Sequence, residues 1–585
     1  MNKYNQYFQY FKNYIDNSIY ILLFLMFVGA IFEVVGISLF LPLLSDSQDN
    51  SFPLYIKSFF DLFDIFMSNT NIAFLIIFIF TIKFIVINIQ NYYIYKFSSE
   101  FMYKIKLNIM SKIYQMRFIS FMKLGNDNLN NIFTKEIEKG SMSIRYFLQI
   151  WVNIIYTGMY FLFALYINYI IVIVAFLVGI FIVFFQKRIT KKIIHYSKQI
   201  ASGNEKTNLI VLQILNNMKY LVSTNSYQYM YNKFEIISKK YSNNLKNISF
   251  LNSIPKQTPE FIGIIVISSI IIINELTIKE NIVTVVFVGL LLYRTLTKFM
   301  SIQKTNQDFL INIGAIEKII EVENNLTQNT NKIDNILEKQ NTLKMIENIE
   351  FDNISLNINK KKILSNINLV FKRSNVYAII GESGAGKSSL LNILTSLYDV
   401  NDGLFKLNNN DIKTYNLHEF QNQIGYVSQE SVIFEGTIKD NIIFDKTFEL
   451  NTYTDLLINL NIDKIEIDRL TMAGTNISGG QRQLIALARE LYKKPHLLIL
   501  DEFTSALDSI TEKKVMSYLE TLKKDMIIII VAHRLSSMIK SDSVVLMEDG
   551  KIIKIDNFNS LYFKNDKFKI MCNNQNIFLE SNKEN

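Results

Sequence analysis

Along the first 300 or so residues the apolar positions come in long runs, and beyond about residue 340 they shrink to strand-length groups separated by Gly, Asn and Lys. A helix needs about 20 apolar residues to cross a bilayer core. The pattern predicts six such spans, near 17 to 44, 72 to 98, 146 to 166, 169 to 186, 257 to 274 and 281 to 300. The connections after the second and fourth are long and basic, with Lys104, Lys106, Lys112 and Arg117, then Lys187, Arg188, Lys191 and Lys192. Basic loops stay on the cytoplasmic side, so both termini are expected there. The opposite loop, 45 to 71, carries Asp46, Asp49, Asp61 and Asp64 against Lys57. Its Phe59, Phe60, Leu62, Phe63, Ile65 and Phe66 fit a short helix, packed on neighbouring spans or lying on the membrane surface. The long basic connections are periodic and read as helical extensions of the spans. Short transverse helices are expected at their tips, around MRFISFMKLGND and TNSYQYMYNKFE.

This predicts a multi-domain membrane protein: an all-α transmembrane domain of six helices over 1–315, a linker over 316–340 and an α/β domain over 341–585. Composition narrows the classes further. The net charge of +9 has no basic and aromatic surface pattern beside it, so the Lys bias is assigned to membrane-side loops and not to nucleic acid. The lone Cys572 excludes an intrachain disulfide and a cysteine-rich metal site. The first apolar run is too long for a cleaved leader and reads as a retained helix.

In NVYAIIGESGAGKSSLLNIL a strand runs into a glycine-rich loop and then a helix, the required setting of a P-loop. Gly381, Ser383, Gly384 and Gly386 let backbone N–H groups curl round phosphates at a helix N-terminus, Lys387 reaches the β and γ oxygens, and Ser388 is a magnesium ligand, with Ser389 beside it. Downstream, HLLILDE is a buried strand ending in Asp501, a second magnesium ligand, and Glu502, which polarises the attacking water.

With Gln429 in IGYVSQ, the NISGGQ motif, LLILDE, SALD at 505 to 508 and His533 in VAHRLS in that order, nearly the whole chain resembles an ATP-binding cassette (ABC) exporter half-transporter. The resemblance implies ATP and Mg2+ as cofactors. It gives Gln429 a place on the metal and the attacking water, His533 the γ-phosphate, and Ser478, Gly480, Gln481 and Asp508 the closing face of the nucleotide site. It also implies a dimer, a homodimer being simplest and a heterodimer remaining open, with the transverse helices as coupling elements. Two positions depart from the family pattern. Ile477 replaces the usual Leu before the signature serine, a swap of similar volume. Ile358 stands where the family offers an aromatic ring to adenine. His195, His418 and His496 sit in no site-like constellation and read as packed or solvated.

A charge at mid-bilayer is costly and faces a cavity or a partner. Lys83 falls about 16 Å along the second span and Arg294 about 20 Å along the sixth, with Lys256 at the start of the fifth. The three are either a path for an anionic substrate or cations paired with acids such as Glu33. FEVVGISLFLPLL, a KFS at 96 to 98, the PK before PEFIG, and LYR are similar to bacterial flippases for lipid-linked oligosaccharides. That resemblance implies an inner-membrane protein whose cavity cations Lys83, Lys256 and Arg294 engage a polyprenyl pyrophosphate. Alternatives are a peptide or bacteriocin exporter, a lipid A or drug exporter, and a non-transporting ATP-dependent sensor.

Overall fold

A computed structural model describes residues 2–40, 43, 68–167, 169–275, 282–330, 343–358, 361–531 and 534–579. The expected outer-loop helix at 59 to 66 lies outside them. The chain divides into two units, one of Met1–Tyr114 with Gly125–Leu326, the other of Gln115–Leu124 with Thr327–Asn585.

The first unit is helical. Its elements are α1 (Asn2–Lys12), α2 (Ile19–Ser38), α3 (Asn69–Tyr114), then, beyond a short tip helix α4 (Phe118–Leu124) that belongs with the second unit, α5 (Ile137–Ile167), α6 (Tyr169–Asn216), α7 (Met218–Ser223), α8 (Tyr227–Ile273) and α9 (Ile282–Thr330). Among the described residues four stretches are long and apolar enough to cross a membrane: Ile19–Ser38, Asn69–Tyr114, Asn128–Ile167 and Val285–Gln328. The expected fourth and fifth spans fall within α6 and α8, where many side chains are outside the description. α3 has 46 residues and so runs roughly 70 Å, more than twice the ~30 Å of a bilayer core. Its continuation through Lys104 and Lys112 is helix, as the periodicity of the basic connections predicts. α9 likewise continues to Thr330, so the first half of the segment expected as a linker is helical.

Small residues let α2 come close to its neighbours, as in membrane bundles generally. A Cβ on Gly29 would stand 2.5 Å from the Tyr156 hydroxyl, and one on Gly36 would stand 2.9 Å from the Phe80 ring. Ala30, Val34, Tyr156, Tyr160, Val285, Val288 and Leu291 form one buried cluster across α2, α5 and α9. α1 is pinned to α9 by tyrosines: Tyr7 donates to Glu317 (2.6 Å), and Tyr10 and Tyr14 donate to Glu323 (2.7 and 3.1 Å).

The second unit holds two sheets. β1 (Asn348–Ile358), β2 (Lys361–Lys372), β4 (Asp402–Leu407) and β5 (Asn410–Asp411) form an antiparallel sheet in the order β2-β1-β4-β5. β3 (Val376–Gly381), β6 (Ile424–Val427), β7 (Leu497–Asp501), β8 (Ile527–Val531), β9 (Ser543–Glu548) and β10 (Lys551–Asp556) form a larger one in the order β10-β9-β3-β8-β7-β6. Its central strands read YAIIG, LLILD and IIIIV because a parallel sheet is covered on both faces and has no solvent side for polar residues. Arg117, just before α4, pairs with Asp399 of this unit.

Candidate functional site

The order β3-β8-β7-β6, all parallel, puts the carboxyl ends of four strands along one edge, with Asp501 opposite Val531 and Val427 opposite Leu500. Ligands of open α/β sheets bind in the crevice outside those ends. Residues far apart in sequence meet there: β3 delivers the loop from Gly381, β7 delivers Asp501 and Glu502, β6 leads to Gln429, and β8 leads to His533. His533 itself lies outside the described residues.

The loop needs its glycines for separate reasons. Gly384 and Gly386 have φ of +86° and +97°, which side chains resist, and a Cβ on Gly381 would come 2.4 Å from the Met547 carbonyl. The loop opens α10 (Lys387–Leu394), which presents the exposed Ser388 and half-buried Ser389 in its first turn. Lys387 is itself buried and donates from Nζ to the carbonyls of Gly381 (2.8 Å) and Glu382 (3.0 Å). Burial pushes its ammonium pKa down, while the carboxylates of Glu502 and Asp501 pull the other way. Gln429 Nε2 donates to Glu502 Oε2 at 2.6 Å, and the Glu502 N–H donates to Val531 O at 2.7 Å, with φ of Glu502 at +50°. The tight bond and uncommon backbone hold this carboxylate facing the crevice edge. Asp501 accepts a hydrogen bond from the Tyr426 hydroxyl (3.2 Å), whose pKa is raised by burial and then by the Asp501 charge.

Ser478, Gly480, Gln481 and Asp508 form a second group. Ser478 caps α11 (Gly479–Tyr492) in a reciprocal box with Gln481, at 3.2 and 2.9 Å. A Cβ on Gly480 would meet the Ala506 carbonyl at 3.0 Å, so the glycine lets the helix start lie on the SALD segment. Asp508 caps α12 (Ser509–Leu522), and the Thr511 N–H and hydroxyl hold its carboxyl below the usual range.

Three residues escaped the motif reading. Tyr426 orients Asp501. The buried amide of Gln483 ties α11 to Ser505 (3.2 Å) and Ala506 (3.3 Å). Arg489, buried on α11, donates to the carbonyls of Asn441 (2.6 Å) and Val432 (2.8 Å) and to Asn441 Oδ1 (2.8 Å). It thereby holds the segment after Gln429 against the signature helix. Ile358 ends β1 half-buried and packs on the sheet core.

The membrane cations part company. Lys83 pairs with the buried Glu33 at 3.3 Å and lies 4.9 Å from the Phe80 ring centre. Arg294 is exposed and makes no ion pair among the described residues. The side chain of Lys256 lies outside the described residues. Lys298, one turn beyond Arg294, is a cation the sequence reading passed over; its i, i+4 spacing from Arg294 was the available signal.

Residues 16–296 match the ABC transporter transmembrane region and residues 364–505 match the ABC transporter family. The chain is 31% identical to the ATP-dependent lipid A-core flippase of Wigglesworthia glossinidia brevipalpis over 66% of its own length and 68% of that protein. The chain belongs to the ABC transporter family. It is an ATP-hydrolysing membrane exporter of half-transporter layout, one membrane domain and one ATP-binding domain in a single chain. The ABC transporter is also 26% identical to the heterocyst differentiation ATP-binding protein HepA of a Nostoc species, over 77% of this chain and 76% of that one. Its fold matches a bacterial Atm1-family ABC exporter solved with ATP bound, with a TM-score of 0.71 over 96% of this chain and 99% of the other at 17% identity.

Proposed function

We propose that this ABC transporter works as a homodimer that uses ATP to flip an anionic amphiphile, a polyprenyl-pyrophosphate-linked oligosaccharide, across a bacterial inner membrane, with both termini and the ATP-binding domains in the cytoplasm. The observation that carries the anionic reading is the set of cations in the membrane unit: Lys83 takes Glu33, while Arg294 and Lys298 make no ion pair among the described residues. Membrane charges without a protein partner mark substrate paths.

For hydrolysis, the Gly381-to-Ser389 loop holds the phosphates, and Lys387 exchanges its two loop carbonyls for phosphate oxygens. Glu502 takes the proton of the attacking water, and His533 meets the γ-phosphate. Ser388, Gln429 and Asp501 offer the hard oxygen donors that Mg2+ prefers and would hold it. The ion would neutralise charge on the β and γ oxygens. Ser478, Gly480, Gln481 and Asp508 close the nucleotide bound to a second copy. Closure reaches the spans through the helical tips near Arg117 and Tyr220, and Lys83, Lys256 and Arg294 face the pyrophosphate in this scheme.

The likeness to a lipid A-core flippase favours a second reading, a lipid A or drug exporter. Translocation of a labelled polyprenyl-pyrophosphate oligosaccharide in proteoliposomes separates the two, with Glu502→Gln as the dead control. A chain that hydrolyses ATP but leaves the oligosaccharide in place refutes the oligosaccharide reading. Lys83 is tested together with its partner, as Lys83→Met with Glu33→Gln, because removing the lysine alone strands a buried carboxylate at a cost of about 3–5 kcal/mol.

A further inference from the structure

Within the membrane unit, α3, α5 and α9 line an open cavity of about 280 Å³. Its polar lining is Gln90 and Asn91 from α3, Gln149 and Asn153 from α5, and Lys298 and Ser301 from α9, over the ring of Tyr156. No carboxylate is among the described lining residues. Four carboxamides and one ammonium group are an unusual wall for helices of this apolarity, and they cost free energy unless something satisfies them.

Gln90 is 3% exposed and places its carboxamide in this wall. One observation marks the site as open to a ligand. Lys298 is half-buried with Nζ 4.7 Å from the Tyr156 ring centre, and it makes no ion pair among the described residues. The charged groups acting on it are Glu33, Lys83 and Arg294. Glu33 is already held by Lys83 at 3.3 Å. Lys298 is thus left without a carboxylate in ion-pair distance among the described residues, and an anion in the cavity would supply one.

We infer that this cavity binds the phosphate headgroup of an anionic amphiphile, with Lys298 as its cation and the carboxamides of Gln90, Asn91, Gln149 and Asn153 donating to the remaining oxygens. A phosphate offers many acceptor lone pairs to a wall rich in N–H donors, and a lipid tail lies naturally against the apolar flanks of α3 and α5. The inference deepens the flippase reading and rests on it only for the direction of transport.

The test is equilibrium binding of radiolabelled farnesyl phosphate to the full-length protein in zwitterionic nanodiscs, with farnesol and inorganic phosphate as competitors. Lys298→Gln is expected to weaken farnesyl phosphate at least tenfold, and Lys298→Arg to stay within about threefold of the unaltered protein. Gln149→Leu, a neutral change of the wall, is expected to weaken it several-fold. All three should elute from size exclusion as the unaltered protein does and melt within about 2 °C of it, which guards against misfolding. Affinity insensitive to both Lys298→Gln and Gln149→Leu overturns the site. Equal competition by farnesol overturns the headgroup, and equal competition by inorganic phosphate overturns the amphiphile. Failure of the flippase reading looks different: the oligosaccharide is not moved, yet farnesyl phosphate binding still depends on Lys298. Conversely, oligosaccharide flipping at full rate by Lys298→Gln keeps that reading and removes this site.

Discussion

Replacing Arg489 by Met tests the tie between the signature helix and the segment that follows Gln429. The guanidinium is 6% exposed and makes three hydrogen bonds, while Phe434 and Phe444 stand 5.2 and 5.6 Å from it. Asn441 Oδ1 keeps a second donor when Arg489 is lost, the Phe434 N–H at 2.9 Å. The Val432 and Asn441 carbonyls are the oxygens left stranded. At about 1–3 kcal/mol for each unsatisfied buried group, the loss is about 2–6 kcal/mol. For a domain of this size each kcal/mol moves the melting point roughly 2–4 °C, so a drop of about 8–16 °C is expected at the middle of that range. Cys572 is a native reporter, since it is the only cysteine and is fully buried in the same core as the signature helix. Heating the full-length protein with a fluorogenic thiol dye reads unfolding of this unit through that one sulfur. Arg489→Lys, which retains the charge and can make one of the bonds, should fall between the two. ATPase should decline in the same order, because Ser478 sits at the start of the loosened helix. An Arg489→Met protein melting within 2 °C of the unaltered one would refute the reasoning.

Glu502→Gln should lower phosphate release at least ~100-fold while nucleotide binding persists, since it removes the base and leaves the phosphate loop intact; loss of binding instead would make the residue structural. Ile358→Tyr should tighten ATP roughly threefold to tenfold by adding a stacking face worth about 0.5–1.5 kcal/mol, measured by nucleotide titration; unchanged affinity would mean that this strand end does not meet adenine. Gly386→Ala should abolish ATP binding, because its Cβ would stand 2.7 Å from Leu364 in a backbone with φ of +97°. Burial pushes the Cys572 thiol up to about 11, so at pH 8 the native protein should alkylate roughly 200-fold more slowly than a free thiol on thiolate fraction alone. That rate should climb about tenfold per pH unit towards pH 10, because the reactive thiolate grows as pH approaches the raised pKa. A native rate equal to the denatured one contradicts the burial.

The nucleotide machinery was legible in the sequence because phosphate chemistry needs contiguous residues: a glycine loop, Lys387 and Ser388 fall within eight positions of one another and between a strand and a helix. Long apolar runs likewise announced the membrane helices, and the periodicity of the basic connections announced their helical continuation. Proximity between distant segments was a different matter. The strand order brings Gln429 to Glu502, and no local pattern encodes that order. Tyr426, Gln483 and Arg489 act across 75, 22 and 48 residues, and as isolated letters they look like an ordinary strand aromatic and two polar helix positions. Charge along the spans identified Lys83 as exceptional but left its role open, since its partner Glu33 lies on another helix. Lys298 near the end of an apolar run resembles a snorkelling lysine. Only the convergence of α3, α5 and α9 turns it into the cation of a cavity. The sequence by itself determined the chemistry that neighbours in the chain perform together; the tertiary structure decided every pairing made across the fold, because hydrogen bonds and ion pairs depend on distances of a few ångströms that sequence separation does not constrain.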